Sequence, residues 1–322
     1  MGRFREAIKK TRLMDKVNEY RKNQVVNQFD EKTQRFINID RLAEKVKIEY
    51  EEDIYDQLAE RYIYKYINRF RDEINETAKR LKEDIQPIQQ PFTVFTMWWQ
   101  GEDDMPPVVK ACIKSFSRLS GRVVIITKEN YADYVSLPDY IVSLATGGKM
   151  CLAHFSDIIR TFLLVKYGGV WVDSTVYVAR KVPDYMTDAF FVFKQSPQLR
   201  ECRSFGNWWI ASSPGNDLLF EELAYLYCYW RHHDVAMHYY IYHIFFRKII
   251  DDNPEYKKMI DSIPTRITDS THMLHQNYSS HFNHKLWEVM KEISPVFKCR
   301  YKIKGDNTGD TFFYRLCNQR LD

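Results

Sequence analysis

The chain has 322 residues, of which 45% are hydrophobic and 15% aromatic, enough to bury the core of one large domain or two unequal ones. Its 47 basic and 43 acidic residues leave a net charge of +4, which excludes the strongly cationic surface that would make nucleic acid the default partner. No run approaches the ~18 consecutive apolar residues of a membrane span, and the first residues, MGRFREAIKK, form no apolar leader core, so the expected location is the cytoplasm.

Residues 1–86 contain no proline and, among glycines, only Gly2, while charged and apolar residues interleave at helical spacing; this predicts a helical N-terminal region. Its first part sets Arg3, Arg5, Lys9, Lys10, Arg12, Lys16, Arg21 and Lys22 around Phe4, Ile8, Val17 and Tyr20. Such a basic amphipathic helix suits peripheral contact with an anionic inner membrane surface, and equally a solvated helix packed on its neighbour. Further on, Ile54, Leu58, Tyr62, Tyr66 and Phe70 recur every four residues, as a core face does. Pro87 and Pro91 break the helices, so a second domain is expected over 87–322. Phe92 to Trp98 reads as a strand, Pro107 opens a helix, and Val123 to Ile126 is a second apolar strand. Strand, helix, strand implies a parallel sheet with crossover helices. At the end of the first strand, Trp98 and Trp99 point to opposite faces, leaving one to pack and one to meet a flat ligand.

The most informative stretch is Ala153 to Tyr177. Phe155, Ile158, Ile159, Phe162, Leu163 and Val165 follow helical spacing, yet His154, Asp157 and Arg160, each three apart, put polar groups on one face of an otherwise apolar helix. Gly168 and Gly169 stop that helix and turn the chain into the apolar run Val170-Trp171-Val172, which delivers Asp173, Ser174 and Thr175. In open α/β sheets ligands bind beyond the carboxyl ends of the strands, so an acid there is placed for a metal ion or a phosphate. Phe190 to Phe193 and Asn207 to Ser212 read as further strands, and Leu218 to Tyr229 and His238 to Ile250 as aromatic-rich helices. His238 and His243, five apart, do not share a helix face, whereas His272 and His275 do if a helix forms. The tail is basic around Lys302 and Lys304 and suits either a diphosphate or solvent. Six scattered cysteines with no C-x-x-C pair read as buried free thiols.

The order of Asp157 and Arg160 on a helix, then Tyr167-Gly168-Gly169, a strand and Asp173-Ser174-Thr175 resembles the sugar-nucleotide segment of the DXD-containing glycosyltransferases of the GT-A fold. The chain most resembles the bacterial capsular polysaccharide synthesis family, which is similar to the mannosyltransferase and clostridial-toxin groups. The resemblance implies an α/β fold, a mixed, mostly parallel sheet flanked by helices behind the helical N-terminal region. It implies a nucleotide-sugar donor, UDP-linked by the uracil contact of the W-x-x-G turn, and a saccharide or lipid-linked acceptor. It places the donor against Trp98, Gln100, His154, Asp157, Arg160, Gly168, Gly169, Asp173, Ser174 and Thr175, and the acceptor against Asn207, Trp208 and His238. Asp173, Arg160 and His243 become the candidate catalytic residues, with a divalent ion, Mn2+ or Mg2+, held by Asp173 and His275. Thr175 departs from the family, since the fuller motif has a second aspartate there, and a hydroxyl lowers the affinity for a hard cation. Two other readings stay open: a catalytically silent sugar-nucleotide-binding subunit, which Thr175 favours, and a metal-dependent nucleotidyltransferase. The latter is expected to carry a basic, Gly-rich loop after the first strand, where this chain has Gly101-Glu102-Asp103-Asp104.

Overall fold

A computed structural model describes residues 52–194, 205–302 and 309–322. The basic segment between Arg3 and Lys22, Cys202 and Lys304 lie outside the described residues. Two helices come first, α1 (Glu52–Ile67) and α2 (Arg71–Asp84), followed by a non-helical passage through Pro87 and Pro91. The α/β part then alternates: β1 (Thr93–Met97), α3 (Pro107–Ser115) and β2 (Arg122–Ile126), with β1 and β2 parallel in register from Thr93↔Arg122 to Met97↔Ile126. After α4 (Asp139–Thr146) and α5 (Leu152–Tyr167), β3 (Gly169–Val172) joins the other side of β1, again parallel.

β4 (Val176–Val178) leaves this sheet, which β5 (Phe190–Lys194) and β6 (Phe205–Ser212) complete in the order β2-β1-β3-β6-β5. β6 runs antiparallel to both β3 and β5, so four of the five strands point one way and the sheet is mixed but mostly parallel, flanked by helices, as expected. Val170, Trp171 and Val172 are all buried although neighbours along a strand face opposite sides, which means that both faces of the sheet are covered.

Two glycines steer the chain from α5 into β3. Gly168, at φ 63°, caps the helix by donating its N–H to the Leu164 carbonyl at 3.0 Å. Gly169, at φ 84°, runs so close to β1 that a Cβ there would stand 2.3 Å from the Thr93 carbonyl oxygen.

α6 (Asp217–His232), α7 (Ile241–Asp252) and α8 (Pro254–Ser262) follow β6. The helix expected from His238 begins three residues later, at Ile241, because the His238 ring turns back to accept the Tyr240 N–H at 3.1 Å and holds residues 238–240 in a turn. α2 packs along α6, and Ile63, Tyr66, Ile67, Ile74, Ala78 and Leu81 enter the same core as the sheet. Across that contact Glu73 receives Arg231 at 2.9 Å and His232 at 2.8 Å.

A second, two-stranded sheet has a direct bearing on the site. β7 (Val296–Lys298), after α9 (His284–Ile293), pairs antiparallel with β4 through Val176↔Lys298, Tyr177↔Phe297 and Val178↔Val296. Trp287, Phe297 and Phe312 pack with Tyr177 and Cys112 in a separate cluster beneath it. Cys112, Cys228 and Cys299 are buried thiols as expected, whereas Cys151 is exposed, because it precedes the first turn of α5, and Cys317 is half-buried. Among the described residues no helix is long and apolar enough to cross a membrane.

Candidate functional site

A cleft of about 620 Å³ opens at the carboxyl ends of β1 and β3. Parallel pairing of β1 and β3 brings the turn Trp98-Trp99-Gln100 beside Asp173-Ser174-Thr175, and α5 lays Ser156, Asp157 and Arg160 across the gap. β6 runs the opposite way, so Asn207 and Trp208 in its first half reach the same end, and the Asp173 N–H donates to the Trp208 carbonyl at 2.9 Å. The far wall comes from Tyr239, Tyr240, His243, His272 and His275, together with Lys298 through Tyr301 beyond β7.

The floor is a charge network. Arg160 is buried and sits over the Trp171 ring, its guanidinium carbon 5.0 Å from the ring centre. It donates to the Asn207 carbonyl at 2.7 Å and to the Ser156 hydroxyl at 3.0 Å. The same guanidinium stands 3.3 Å from Asp157 Oδ1 and 3.5 Å from Asp173 Oδ1, so it joins the two acids. Asp157 also accepts from the Asn207 amide at 3.0 Å and has the His154 ring 3.7 Å away. Asp173 Oδ1 accepts from Trp171 Nε1 at 2.9 Å, while Oδ2 takes the Lys298 ammonium at 2.5 Å. That ammonium also donates to the Thr175 hydroxyl at 2.9 Å.

These contacts set the charges. Burial pushes the Asp173 carboxyl up, but Lys298 and Arg160 outweigh it and hold it at about 2. Burial works against a charged His154, yet Asp157 and Cys151 raise it to about 9, so the ring is an imidazolium at neutral pH. On α6, Glu222 is fully buried; burial and then the neighbouring Asp157 push its carboxyl well above the usual range, and it remains a neutral acid. Burial lowers His272 to about 4, with His275 and Lys298 adding to the effect. His275 is also lowered by burial; it donates Nδ1–H to the Lys298 carbonyl at 3.0 Å, which leaves Nε2 as a lone-pair acceptor.

Trp98, Gln100, Asp157, Arg160, Asp173, Ser174, Thr175, Asn207, Trp208, His243 and His275 therefore line one cleft. His154 does not line it and lies behind Asp157, tilted against the Trp230 and Tyr239 rings. Gly168 and Gly169 sit at the far end of β3 from Asp173, and His238 is buried outside the lining. Asn207 is absorbed by Asp157 and Arg160, and Trp208 stacks on Phe193 at 4.5 Å. Trp99 packs edge-on against Phe155, whereas Trp98 meets Tyr301 edge-on, and among the described residues its buried indole N–H has no hydrogen-bond partner. Among the described residues the Arg160 Nε–H is likewise buried without one. Sequence reasoning missed Lys298, Arg300 and Ser156, although the run KCRYK was visible as a basic tail.

The divalent ion implied at Asp173 and His275 does not fit this donor set. Both oxygens of Asp173 are already engaged, one of them by an ammonium, and the neighbouring ligand position is a neutral hydroxyl that faces the same ammonium. A dication about 4 Å from that ammonium would be repelled by roughly 8 kcal/mol at an effective dielectric constant of about 20. Among the described residues, the His, Cys, Asp or Glu groups that converge as metal ligands do so at Glu73, Cys228 and His232, not at Asp173.

Comparison with known proteins adds a family. The family model described as "Capsular polysaccharide synthesis protein" matches residues 41–316. The chain is similar to the O-glycosyltransferase PaGT of Phomopsis amygdali, 25% identical over 120 residues, which are 34% of this chain and 30% of that protein. It is similar to the O-glycosyltransferase braB of Annulohypoxylon truncatum, 27% identical over 109 residues, 30% of this chain and 26% of that one. Less than a third of either relative's length is thus matched. Among solved structures, the PaToxG Glycosyltransferase overlaps 65% of this chain and 84% of its own at a TM-score of 0.35 and 16% identity.

Proposed function

The chain belongs to the capsular polysaccharide synthesis protein family, and from its cleft we propose that it is a glycosyltransferase moving a sugar from a nucleotide-sugar donor to a saccharide or lipid-linked saccharide acceptor, in the making of a capsule or another surface polysaccharide. The observation that carries this reading is the network of Asp157, Arg160, Asp173 and Lys298 on the floor of a cleft at the carboxyl ends of parallel strands. Breaking a sugar–phosphate bond leaves negative charge on a diphosphate, and preorganised cations in a partly dry site lower that barrier. Among the described residues, Arg160, Lys298 and Arg300 are the lysine and arginine cations that line this cleft.

Trp98 lines the cleft with its indole, a flat aromatic surface that suits the uracil of a UDP-linked donor. Asp157 holds Arg160 in place together with Asn207, its Oδ1 facing both while Oδ2 faces the His154 ring. Tyr239, 63% exposed, stands on the open side where an acceptor sugar would stack. The basic segment between Arg3 and Lys22 is the part proposed to bring the protein to an anionic inner membrane surface and its lipid-linked acceptors.

The test is incubation with a panel of nucleotide sugars, reading nucleoside diphosphate release with and without saccharide acceptors. Release that is stimulated by an acceptor and abolished by Asp157→Ala supports the reading. Release of nucleoside monophosphate or pyrophosphate instead would assign a nucleotidyl or phosphoryl transfer, and binding without turnover a silent binding subunit.

A further inference from the structure

We propose that Lys298 takes the place of a divalent ion: its ammonium, clasped by Asp173 and Thr175, supplies the positive charge that faces the donor's diphosphate, and the protein works without metal. This rests on the nucleotide-sugar reading and says how that site is charged.

Three features carry it. An ammonium has three donors, and among the described residues two are used, by Asp173 Oδ2 at 2.5 Å and Thr175 Oγ1 at 2.9 Å, which leaves one for a phosphate oxygen. The Lys298 and Asp173 side chains are 21% and 25% exposed and both line the cleft, so the pair is open to a ligand rather than sealed in the core.

The charge balance is the second feature. Two carboxylates with one dication sum to zero; so do one carboxylate, one hydroxyl and one ammonium. Thr175 is therefore the residue that a lysine at this point needs, since a second acid would leave the site net negative against an anionic donor.

Third, the lysine is delivered by rigid backbone. Val176↔Lys298 pairing fixes its register, the Cys299 N–H donates to the Thr175 carbonyl at 2.7 Å, and the Lys298 carbonyl is held by His275. Two residues on, Arg300 lines the same cleft and adds a second cation on that wall.

The experiment is calorimetry of uridine diphosphate binding, together with donor turnover, on the full chain in chelator and in manganese. Parent protein is expected to bind and turn over equally in both, and to show no manganese binding of its own. Lys298→Ala should lose about 10- to 100-fold in affinity, the size of a charge-assisted hydrogen bond, and most of its turnover. Lys298→Arg should recover part of both, while Lys298→Gln, which keeps hydrogen bonding without the charge, should not; melting curves confirm that each variant is folded. The double variant Thr175→Asp, Lys298→Ala should acquire manganese-dependent binding. Turnover by the parent that requires manganese and stops in chelator overturns the proposal, as does unchanged affinity in Lys298→Ala. Failure of the parent to bind any nucleoside diphosphate in either condition overturns the donor reading itself, and this inference with it.

Discussion

Removing the Arg160 guanidinium tests whether the floor of the cleft is one network. Arg160→Met keeps much of the stem's packing over Trp171 but leaves Asp157 and Asp173 facing one another without the cation between them. Breaking a buried ion pair from one side costs about 3 to 5 kcal/mol. The lower end applies here, because Asp173 keeps Lys298 and Asp157 keeps the Asn207 amide and the His154 imidazolium. The Asn207 carbonyl, now without its 2.7 Å donor, adds about 1 to 3 kcal/mol if no water replaces it. With a shift of about 2 °C per kcal/mol for a chain of this size, Arg160→Met should melt roughly 6 to 12 °C below the parent. Arg160→Lys should fall less but still lose donor affinity, since an ammonium cannot span the Ser156 hydroxyl, the Asn207 carbonyl and two carboxylates at once. In the double variant Asp157→Asn, Arg160→Met the loss should be smaller than the sum of the single losses, because the stranded acid is gone. Thermal melts and nucleoside diphosphate titration measure all of this. A single variant that melts within 2 °C of the parent, or strict additivity in the cycle, would refute the claim that Arg160 joins the two acids.

Three further outcomes follow from the site. Trp98→Ala should weaken nucleoside diphosphate binding by about 1 to 3 kcal/mol and Trp98→Phe should recover much of it; unchanged affinity in the alanine variant would remove the base from this ring. His154 is raised to about 9 by Asp157 and Cys151 against the cost of burial, so its contribution is complete below pH ~6.5 and drains away as the pH rises to about 9. The parent should therefore lose up to about 3 kcal/mol of stability across that window and His154→Gln should not, as chemical denaturation at stepped pH would measure; parallel profiles would place the ring's charge elsewhere. Glu222, whose carboxyl is raised by burial and then by Asp157, has to take up a proton on folding at pH values above the ordinary carboxyl range. Its stabilising share is present near pH 4 and is lost as the pH climbs, so Glu222→Gln should melt higher than the parent at pH 8 and close to it at pH 4. A variant less stable than the parent at both values would contradict a neutral acid.

Much of the architecture was legible because its signals are local. Short apolar stretches of three to seven residues became β1, β2, β3 and β5, and helical spacing placed α5 to within one residue of where it begins. Asp157 and Arg160 announced themselves as charges on an apolar helix face, and the chain direction of β3 then put Asp173 beside them. Where a local pattern was asked to speak for a distant contact, it said less. Gly168 and Gly169 stand next to Asp173 in the motif, but a four-residue strand separates them by roughly 13 Å, so they shape the entry to β3 and Asp173 its exit. His238 was assigned to a helix by the aromatic run behind it, and its ring instead closes the turn before that helix.

Lys298 is the instructive omission. In sequence it is one cation among several in a basic tail, 125 residues from the acid it contacts, and nothing in its neighbours distinguishes it from Lys302. What singles it out is the antiparallel pairing of β7 with β4, a match between two three-residue strands too short to be read in advance. Yet the sequence held half of the argument at Thr175. A hydroxyl where an aspartate is expected is a charge missing from the site, and a missing negative charge implies that the positive charge it would have balanced is smaller than a dication. The compensating cation had to be monovalent, close to Asp173 and supplied by the protein, and the fold has one such group in contact with both residues among those described. The departure at Thr175 and the ammonium of Lys298 are thus two views of a single substitution, and each predicts that changing the other alone will leave the cleft with the wrong charge.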